Sequence, residues 1–228
     1  NLTRKKTGIN AVLESEPPNE SFGRVARAYI EGSPVAFLDR VAKRAARELV
    51  YSSDGVSRKL TSVLECIGRG ERISIIDLQL IFMADRMRHT DKIYDWLAFG
   101  KAVIMDRYAL STLAYGLAQG VSIGDLVVWH GLILGKRMID PDLTIYVRIS
   151  ARTAAERLAM SGKITDINET EEIIKKAETA YGKAIDFCRE NHMLGKIVEV
   201  DGERAVDEVE KEILSEVKLA FGGRFASL

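Results

Sequence analysis

Four short apolar runs, rich in β-branched residues, limit what this chain can fold into. Each run is almost continuously apolar instead of alternating between apolar and polar residues, which is typical of strands covered on both faces, as in a parallel sheet. Longer segments with apolar residues at helical spacing separate the runs. This alternation predicts an α/β fold with right-handed crossovers. The predicted strands are residues 10–14, 102–105, 143–149 and 196–200.

The helical segments suggest how the rest of the chain is arranged. About three helices are predicted within residues 33–89, which we expect to form a cap on one side of the sheet. The polar, glycine-containing segment 161–167 predicts a mobile lid. No internal repeat or interdomain linker separates these parts, so we expect a single domain over residues 1–228. The other predicted helices are 19–30, 150–160, 168–191 and 205–221.

Charge and cysteine usage narrow the class of protein. Lysine plus arginine and aspartate plus glutamate number 33 each, so no net charge favours binding to nucleic acid or to an anionic membrane. No apolar run approaches the roughly 20 residues that span a bilayer. Cys66 and Cys188 lie far apart without a metal-ligand pattern, and both are predicted to be buried thiols. We therefore predict a cytoplasmic protein.

Two charged residues directly follow the second predicted strand. Asp106 and Arg107 should lie at the carboxyl end of the sheet, where ligands bind in open α/β folds. A guanidinium can hold a phosphate through two hydrogen bonds, and a neighbouring carboxylate can orient water around Mg²⁺. An ion pair that caps the strand explains the same two residues equally well.

A second pair lies on a predicted helix. Phe82 and Arg86 are four residues apart and therefore share a helix face. An aromatic ring beside a planar guanidinium can stack on a base and donate to its carbonyl edge. The alternative to base binding is that Phe82 is a core residue and Arg86 is solvated. For an isolated pair with this spacing, that alternative is favoured. His89, His130 and His192 lack any mutual spacing, and we expect neither a metal ligand nor a catalytic base among them.

Four segments, taken in order, carry motifs of one known family. They resemble the thymidylate kinases, which are P-loop nucleoside monophosphate kinases, over nearly the whole chain. The resemblance implies a three-layer, P-loop NTPase-like parallel sheet flanked by helices, with a helical cap on the acceptor side and a short lid. The segments are LESEPPNESFGRVAR (13–27), LIFMADRMRH (80–89), VIMDRYALSTLAYG (103–116) and PDLTIYVRIS (141–150).

The same resemblance implies an activity and an acceptor site. The activity is transfer of the ATP γ-phosphoryl group to dTMP, with Mg²⁺ as cofactor. Phe82 and Arg86 would contact the thymine base, and Arg27 and Arg107 would hold the acceptor phosphate. Asp106 would organise the metal and the attacking phosphate oxygen. The remaining acceptor-side positions are Glu16, Ser111 and Thr112, which could equally be caps or turn residues, and Tyr115, which would pack by the deoxyribose and could equally be a core residue.

On the donor side, the resemblance places Arg157 against the adenine, with Asp201 and Arg204 in the loop on its other side. The family's G-x-x-x-x-G-K-S/T loop, whose amides hold the donor phosphates, does not occur in this sequence. We expect the natural protein to carry it upstream of Asn1, and the alternative is a true loss. The transition-state arginine would then come from that loop, unless Lys163 in the lid replaces it.

Several alternatives stay open. Gly116 stands where many bacterial members of the family have a glutamine that touches the base, which weakens the expectation of strict thymine preference. A kinase for another pyrimidine nucleotide such as dUMP, or for a deoxynucleoside, is therefore a rival, although Arg27 and Arg107 favour a phosphorylated acceptor. A noncatalytic nucleotide-binding paralogue is a second rival. The resemblance also implies a homodimer.

Overall fold

The computed structural model describes residues 11–16, 21–47, 54–161 and 171–222. Within these ranges four strands form: β1 (Ala11–Ser15), β2 (Ala102–Asp106), β3 (Leu143–Arg148) and β4 (Lys196–Asp201). β1 pairs with β2 and β3 pairs with β4, and both pairings are parallel. All four predicted strands are confirmed to within one residue at each end, as is their parallel direction.

The described helices account for most of the remaining chain. α4 extends beyond the predicted end at residue 89, because His89, Thr90 and Ile93 are still buried on it. The helices are α1 (Ser21–Ile30), α2 (Val35–Ala46), α3 (Asp54–Gly68), α4 (Ile75–Ala98), α5 (Ala109–Ala118), α6 (Ile123–Ile133), α7 (Ala151–Ser161), α8 (Glu171–Glu190) and α9 (Val206–Phe221), with a 3₁₀ turn at Gly135–Arg137.

The apolar core lies mainly between helices. α1 packs on α2 and α4, α2 packs on α3, and α5 packs on α8. α2 and α3 therefore form the helical layer that the sequence predicts between the first two strands. One fully buried apolar side chain from each of five helices illustrates this core: Phe22, Leu60, Leu80, Leu113 and Ile185.

Serine caps begin two helices that carry site residues. Ser74 Oγ accepts from the Asp77 amide at 3.2 Å before α4, and Ser122 Oγ accepts from the Asp125 amide at 3.1 Å before α6. Each cap satisfies an amide that has no partner within its helix. The acidic residue in each first turn also interacts favourably with the helix dipole.

The parallel register brings the ends of β1 and β2 to one edge. Ser15 lies opposite Asp106, and the amide of Glu16 donates to the carbonyl of Asp106 at 2.9 Å. Glu16, Asp106 and Arg107 therefore lie together where the two strands end.

Two expectations concern residues outside the described ranges. Residues 162–170, which include Lys163 and nearly all of the expected lid, are among them, as are residues 17–20 before α1. Among the helices that the structure does describe, none is both long enough and apolar enough to cross a membrane.

Candidate active site

Arg107 has an unusual backbone conformation at the end of β2. Its φ is 67°, in the left-handed region that residues other than glycine rarely adopt. Its guanidinium carbon lies 5.6 Å from the centre of the Tyr115 ring, and both Arg107 and Asp106 are exposed. Such strained positions are concentrated at ligand sites. The geometry thus presents a cation at the sheet edge where a phosphate ligand is expected.

Arg86, on α4, is fully buried and bound on several sides. Its Nε donates to Glu16 Oε1 at 2.7 Å and its Nη2 to Glu16 Oε2 at 2.5 Å. Nη2 also donates to Thr112 Oγ1 at 3.0 Å, and Nη1 donates to His130 Nε2 at 2.8 Å. Burial alone would lower the pKa of Arg86, but the Glu16 carboxylate raises it above its ordinary value. The guanidinium therefore stays charged inside the protein.

The alternative prediction, with Phe82 in the core and Arg86 solvated, is wrong for Arg86. Phe82 is only half-buried and packs against the core, as that alternative predicts. Arg86, however, is 1% exposed rather than solvated, and its guanidinium carbon lies 4.8 Å from the centre of the Tyr108 ring. Arg86 thus reaches Glu16 and Tyr108, which follow the ends of β1 and β2.

His130 is a site residue that sequence reasoning missed. It lies on α6 with 4% of its surface exposed, and Nδ1 lies 2.8 Å from the carbonyl oxygen of Leu126. Because a carbonyl can only accept, Nδ1 carries the proton and Nε2 is free to accept from Arg86. Burial and the nearby charge of Arg86 lower the pKa of His130 to about 3. Its ring is therefore neutral at physiological pH.

A close approach of two helices brings these groups together. A Cβ at Gly116 on α5 would lie 2.6 Å from Leu126 Cδ1 on α6, so any larger residue here would require the buried Leu126 side chain to move. Thr112 precedes Gly116 by one turn, and His130 follows Leu126 by one turn. Thr112 and His130, two of the three side chains that accept from Arg86, therefore lie on helices that pack against each other. Leu126 fills the space into which a side chain at position 116 would point.

Two further tyrosines, Tyr181 and Tyr146, lie close to Ser111 and Tyr115. The Tyr181 hydroxyl donates to Ser111 Oγ at 3.0 Å, and the Tyr181 ring makes an edge contact with Tyr115 at 6.1 Å. Tyr146 stacks on the other side of Tyr181 at 4.8 Å between ring centres. Burial raises the pKa of Tyr181 to about 12, so it remains a donor. Sequence reasoning missed Tyr181, because it lies 70 residues from Ser111.

The structure places Arg27 in the last turn of α1, where it is half-buried. α1 is attached to α4 through Asp85, whose Oδ1 accepts from the amide of Gly23 at 2.7 Å. Arg27 is therefore on a helix that packs directly on the helix of Phe82 and Arg86.

The predicted donor-side residues lie at the carboxyl end of β4, which the side chain of Arg157 reaches from α7. Arg157 Nη2 donates to the carbonyl of Gly202 at 2.9 Å, and Asp201 Oδ1 accepts from the amide of Glu203 at 3.1 Å. Arg204 forms an ion pair with Glu212. Arg157, Asp201 and Arg204 therefore lie together at the carboxyl end of β4, and their contact with the two sides of an adenine stays a prediction.

Comparison with known proteins gives a consistent result. The family model for thymidylate kinase matches residues 51–213. The chain is 26% identical over 196 residues to a putative thymidylate kinase of Treponema pallidum, covering 83% of this chain and 91% of that protein. It is 30% identical over 187 residues to thymidylate kinase of Staphylococcus epidermidis, covering 74% of this chain and 91% of that protein. The solved structure of thymidylate kinase from Candida albicans has the same fold, with a TM-score of 0.59, 18% identity, and coverage of 96% of this chain and 83% of that one.

Proposed function

Because the chain belongs to the thymidylate kinase family, we propose that it transfers the γ-phosphoryl group of ATP to dTMP. In this reaction an oxygen of the dTMP phosphate forms a bond to the γ-phosphorus, and the bond to the β,γ-bridging oxygen breaks, giving dTDP and ADP. The observation that carries the proposal is the buried Arg86, held by Glu16 and His130 beside Phe82, at the same sheet edge as Arg107.

Arg107 is the proposed phosphate ligand. It is exposed, it follows a strand whose register fixes its position, and its planar guanidinium suits a two-pronged contact with phosphate. Arg27 on α1 supplies a second positive charge to the same phosphate. Two arginines on the acceptor side favour a phosphorylated acceptor over a nucleoside.

The proposed base site lies against α4. Phe82 stacks on the pyrimidine ring, and Arg86 donates to a carbonyl of the base. Glu16 and Thr112 act through Arg86, because both accept hydrogen bonds from its guanidinium. Ser111 and Tyr115 lie on α5 and contact the sugar side of the nucleotide.

ATP is the phosphoryl donor, as in other thymidylate kinases. We propose that Arg157, Asp201 and Arg204 contact its adenine, since the side chains of both arginines bond to the backbone at the end of β4. Lys163, which lies outside the described residues, is the proposed lid cation.

Asp106 suits a magnesium ion that keeps most of its water. Its carboxylate is exposed at the strand end beside Arg107, and Mg²⁺ in phosphoryl-transfer sites is bound by one or two carboxylates plus phosphate oxygens. In the described part of the chain, no group of three or more candidate side chains forms a cage around an ion. When bound, Mg²⁺ neutralises charge on the transferring phosphoryl group. We also propose a cytoplasmic homodimer, on the resemblance to the family.

The proposal is tested by measuring ADP formation from ATP and Mg²⁺ with the full-length protein and a panel of acceptors. dTMP should support the highest kcat/KM, with thymidine inactive because it has no phosphate for Arg107 to bind. A higher kcat/KM with dUMP would reassign the acceptor. ADP formation that does not depend on any nucleoside monophosphate would overturn the proposal.

A further inference from the structure

The hydrogen bonds of Arg86 leave little of its guanidinium for a ligand. A guanidinium has five N–H groups, one on Nε and two on each Nη. Glu16 accepts from Nε and from Nη2, and Thr112 accepts from the second Nη2 hydrogen. His130 accepts from one Nη1 hydrogen. Among the described residues, no acceptor is recorded for the other Nη1 hydrogen.

His130 can accept a hydrogen bond from Arg86 only when its Nε2 carries no proton. Its Nδ1 hydrogen is directed to the carbonyl of Leu126 at 2.8 Å, within the same helix. The Nε2 lone pair therefore faces Arg86, and it is the only polar atom of the ring left to do so. α6 packs on α5, and Leu126, one turn before His130, is fully buried beside Gly116, which restricts movement of this part of α6.

We propose that His130 is a positioning residue that sets the base selectivity of this enzyme. By accepting one Nη1 hydrogen, His130 fixes the guanidinium plane and leaves the other Nη1 hydrogen for the nucleobase, which must displace the groups that cover this fully buried side chain. A single fixed donor selects a pyrimidine with a carbonyl at this edge, as in thymine or uracil, and rejects cytosine, whose amino group would oppose donor with donor. This inference rests on the proposed acceptor, dTMP.

A purely structural role for His130 predicts a different outcome. In that case its ring only fills space, and any substitution that keeps the fold leaves selectivity unchanged. If His130 positions Arg86, an apolar replacement frees the second Nη1 hydrogen and lets the guanidinium tilt within its pocket. Base binding then weakens, while the chemical step, which takes place at the phosphate, is less affected.

The test compares His130→Leu with His130→Gln in the full-length protein. Leucine removes the acceptor, whereas glutamine can place an amide oxygen near the position of Nε2. For H130L we expect KM for dTMP to rise roughly tenfold to hundredfold, the loss expected for one hydrogen bond to a charged group. kcat should change much less, and the ratio of kcat/KM for dTMP over dCMP should fall by at least about tenfold. H130Q should restore most of both values.

A control variant and a direct measurement complete the design. His192 is exposed with φ of 53°, a conformation that asparagine tolerates, so H192N removes a histidine without touching the site. In the wild type, long-range ¹H–¹⁵N spectra of the histidine rings should show a neutral His130 with its proton on Nδ1. A proton on Nε2, or titration near pH 6.5, would overturn the proposal even if both variants fail to fold.

The outcomes separate this inference from the proposed function. If wild-type protein phosphorylates dTMP but folded H130L keeps its KM and its selectivity against dCMP, only the role of His130 is refuted. If wild-type protein phosphorylates no pyrimidine nucleotide, the proposed function itself fails. Loss of selectivity in H130L with recovery in H130Q supports both.

Discussion

Replacing Glu16 by glutamine should strongly destabilise the protein, because the Glu16 carboxylate neutralises a guanidinium that solvent does not reach. The side chain of Arg86 is 0% exposed and that of Glu16 is 9% exposed. Glutamine preserves the size of the side chain but removes its charge. Removing one charge of a buried ion pair lowers the free energy of unfolding by about 3–5 kcal/mol, since the other charge is left uncompensated.

That loss can be measured by thermal unfolding. For a chain of this length, 1 kcal/mol corresponds to about 2–4 °C in Tm. The E16Q variant should therefore melt roughly 6–20 °C below the wild type. Adding Arg86→Met should recover part of the loss, because the double variant no longer buries an unpaired charge.

The chain contains a matched control for this experiment. Glu71 accepts two hydrogen bonds from Arg69, from Nε at 2.6 Å and from Nη2 at 3.0 Å. Glu16 accepts from the same two atoms of Arg86. The side chains of Glu71 and Arg69 are 50% and 56% exposed, so E71Q should leave Tm almost unchanged. Equal effects of E16Q and E71Q would refute the argument, because burial is the property that distinguishes the two pairs.

Four further changes test other parts of the structure. Gly195→Ala should cost about 3 kcal/mol or more in the free energy of unfolding, because its Cβ would lie 1.9 Å from the carbonyl oxygen of Pro141 at a φ of 62°. Gly182→Ala, in the open middle of α8, should instead stabilise the protein by about 0.5–1 kcal/mol, and a denaturant titration of each variant measures both changes. As pH falls from 6.5 towards 3, the unfolded state protonates His130 and the folded state does not. The wild type should therefore lose up to about 1.4 kcal/mol per pH unit more than H130Q, and parallel stability curves for the two proteins would contradict this. Arg107→Lys should raise KM for dTMP roughly tenfold while leaving Tm unchanged, and an unchanged KM would remove Arg107 from the phosphate site.

The strands and the strand-end residues were predictable because the signal is local. A continuous apolar run followed at once by Asp106 and Arg107 fixes both the strand and the point where it ends. The parallel register of β1 and β2 then places Glu16 at the same edge. The strand ends are local signals, whereas the pairing that brings Glu16 beside Asp106 is a contact between distant parts of the sequence.

The state of Arg86 was not predictable, because it depends on residues far away in the sequence. Helical spacing shows that Phe82 and Arg86 share a face, but it cannot show that the face is covered. Arg86 is buried through Glu16, 70 residues away, and His130, 44 residues away. A lone histidine on an apolar helix carries no signal for such a contact. For the same reason, the predicted helix ends at residue 89, whereas α4 continues to Ala98.

The most direct test of the central claim is ³¹P NMR of the full-length protein with ATP, Mg²⁺ and dTMP. The phosphate signals of dTDP and ADP should grow together in equal amounts, and the rate should fall sharply in Arg107→Ala. Growth of inorganic phosphate without dTDP, or no change in the dTMP signal, would contradict the claim.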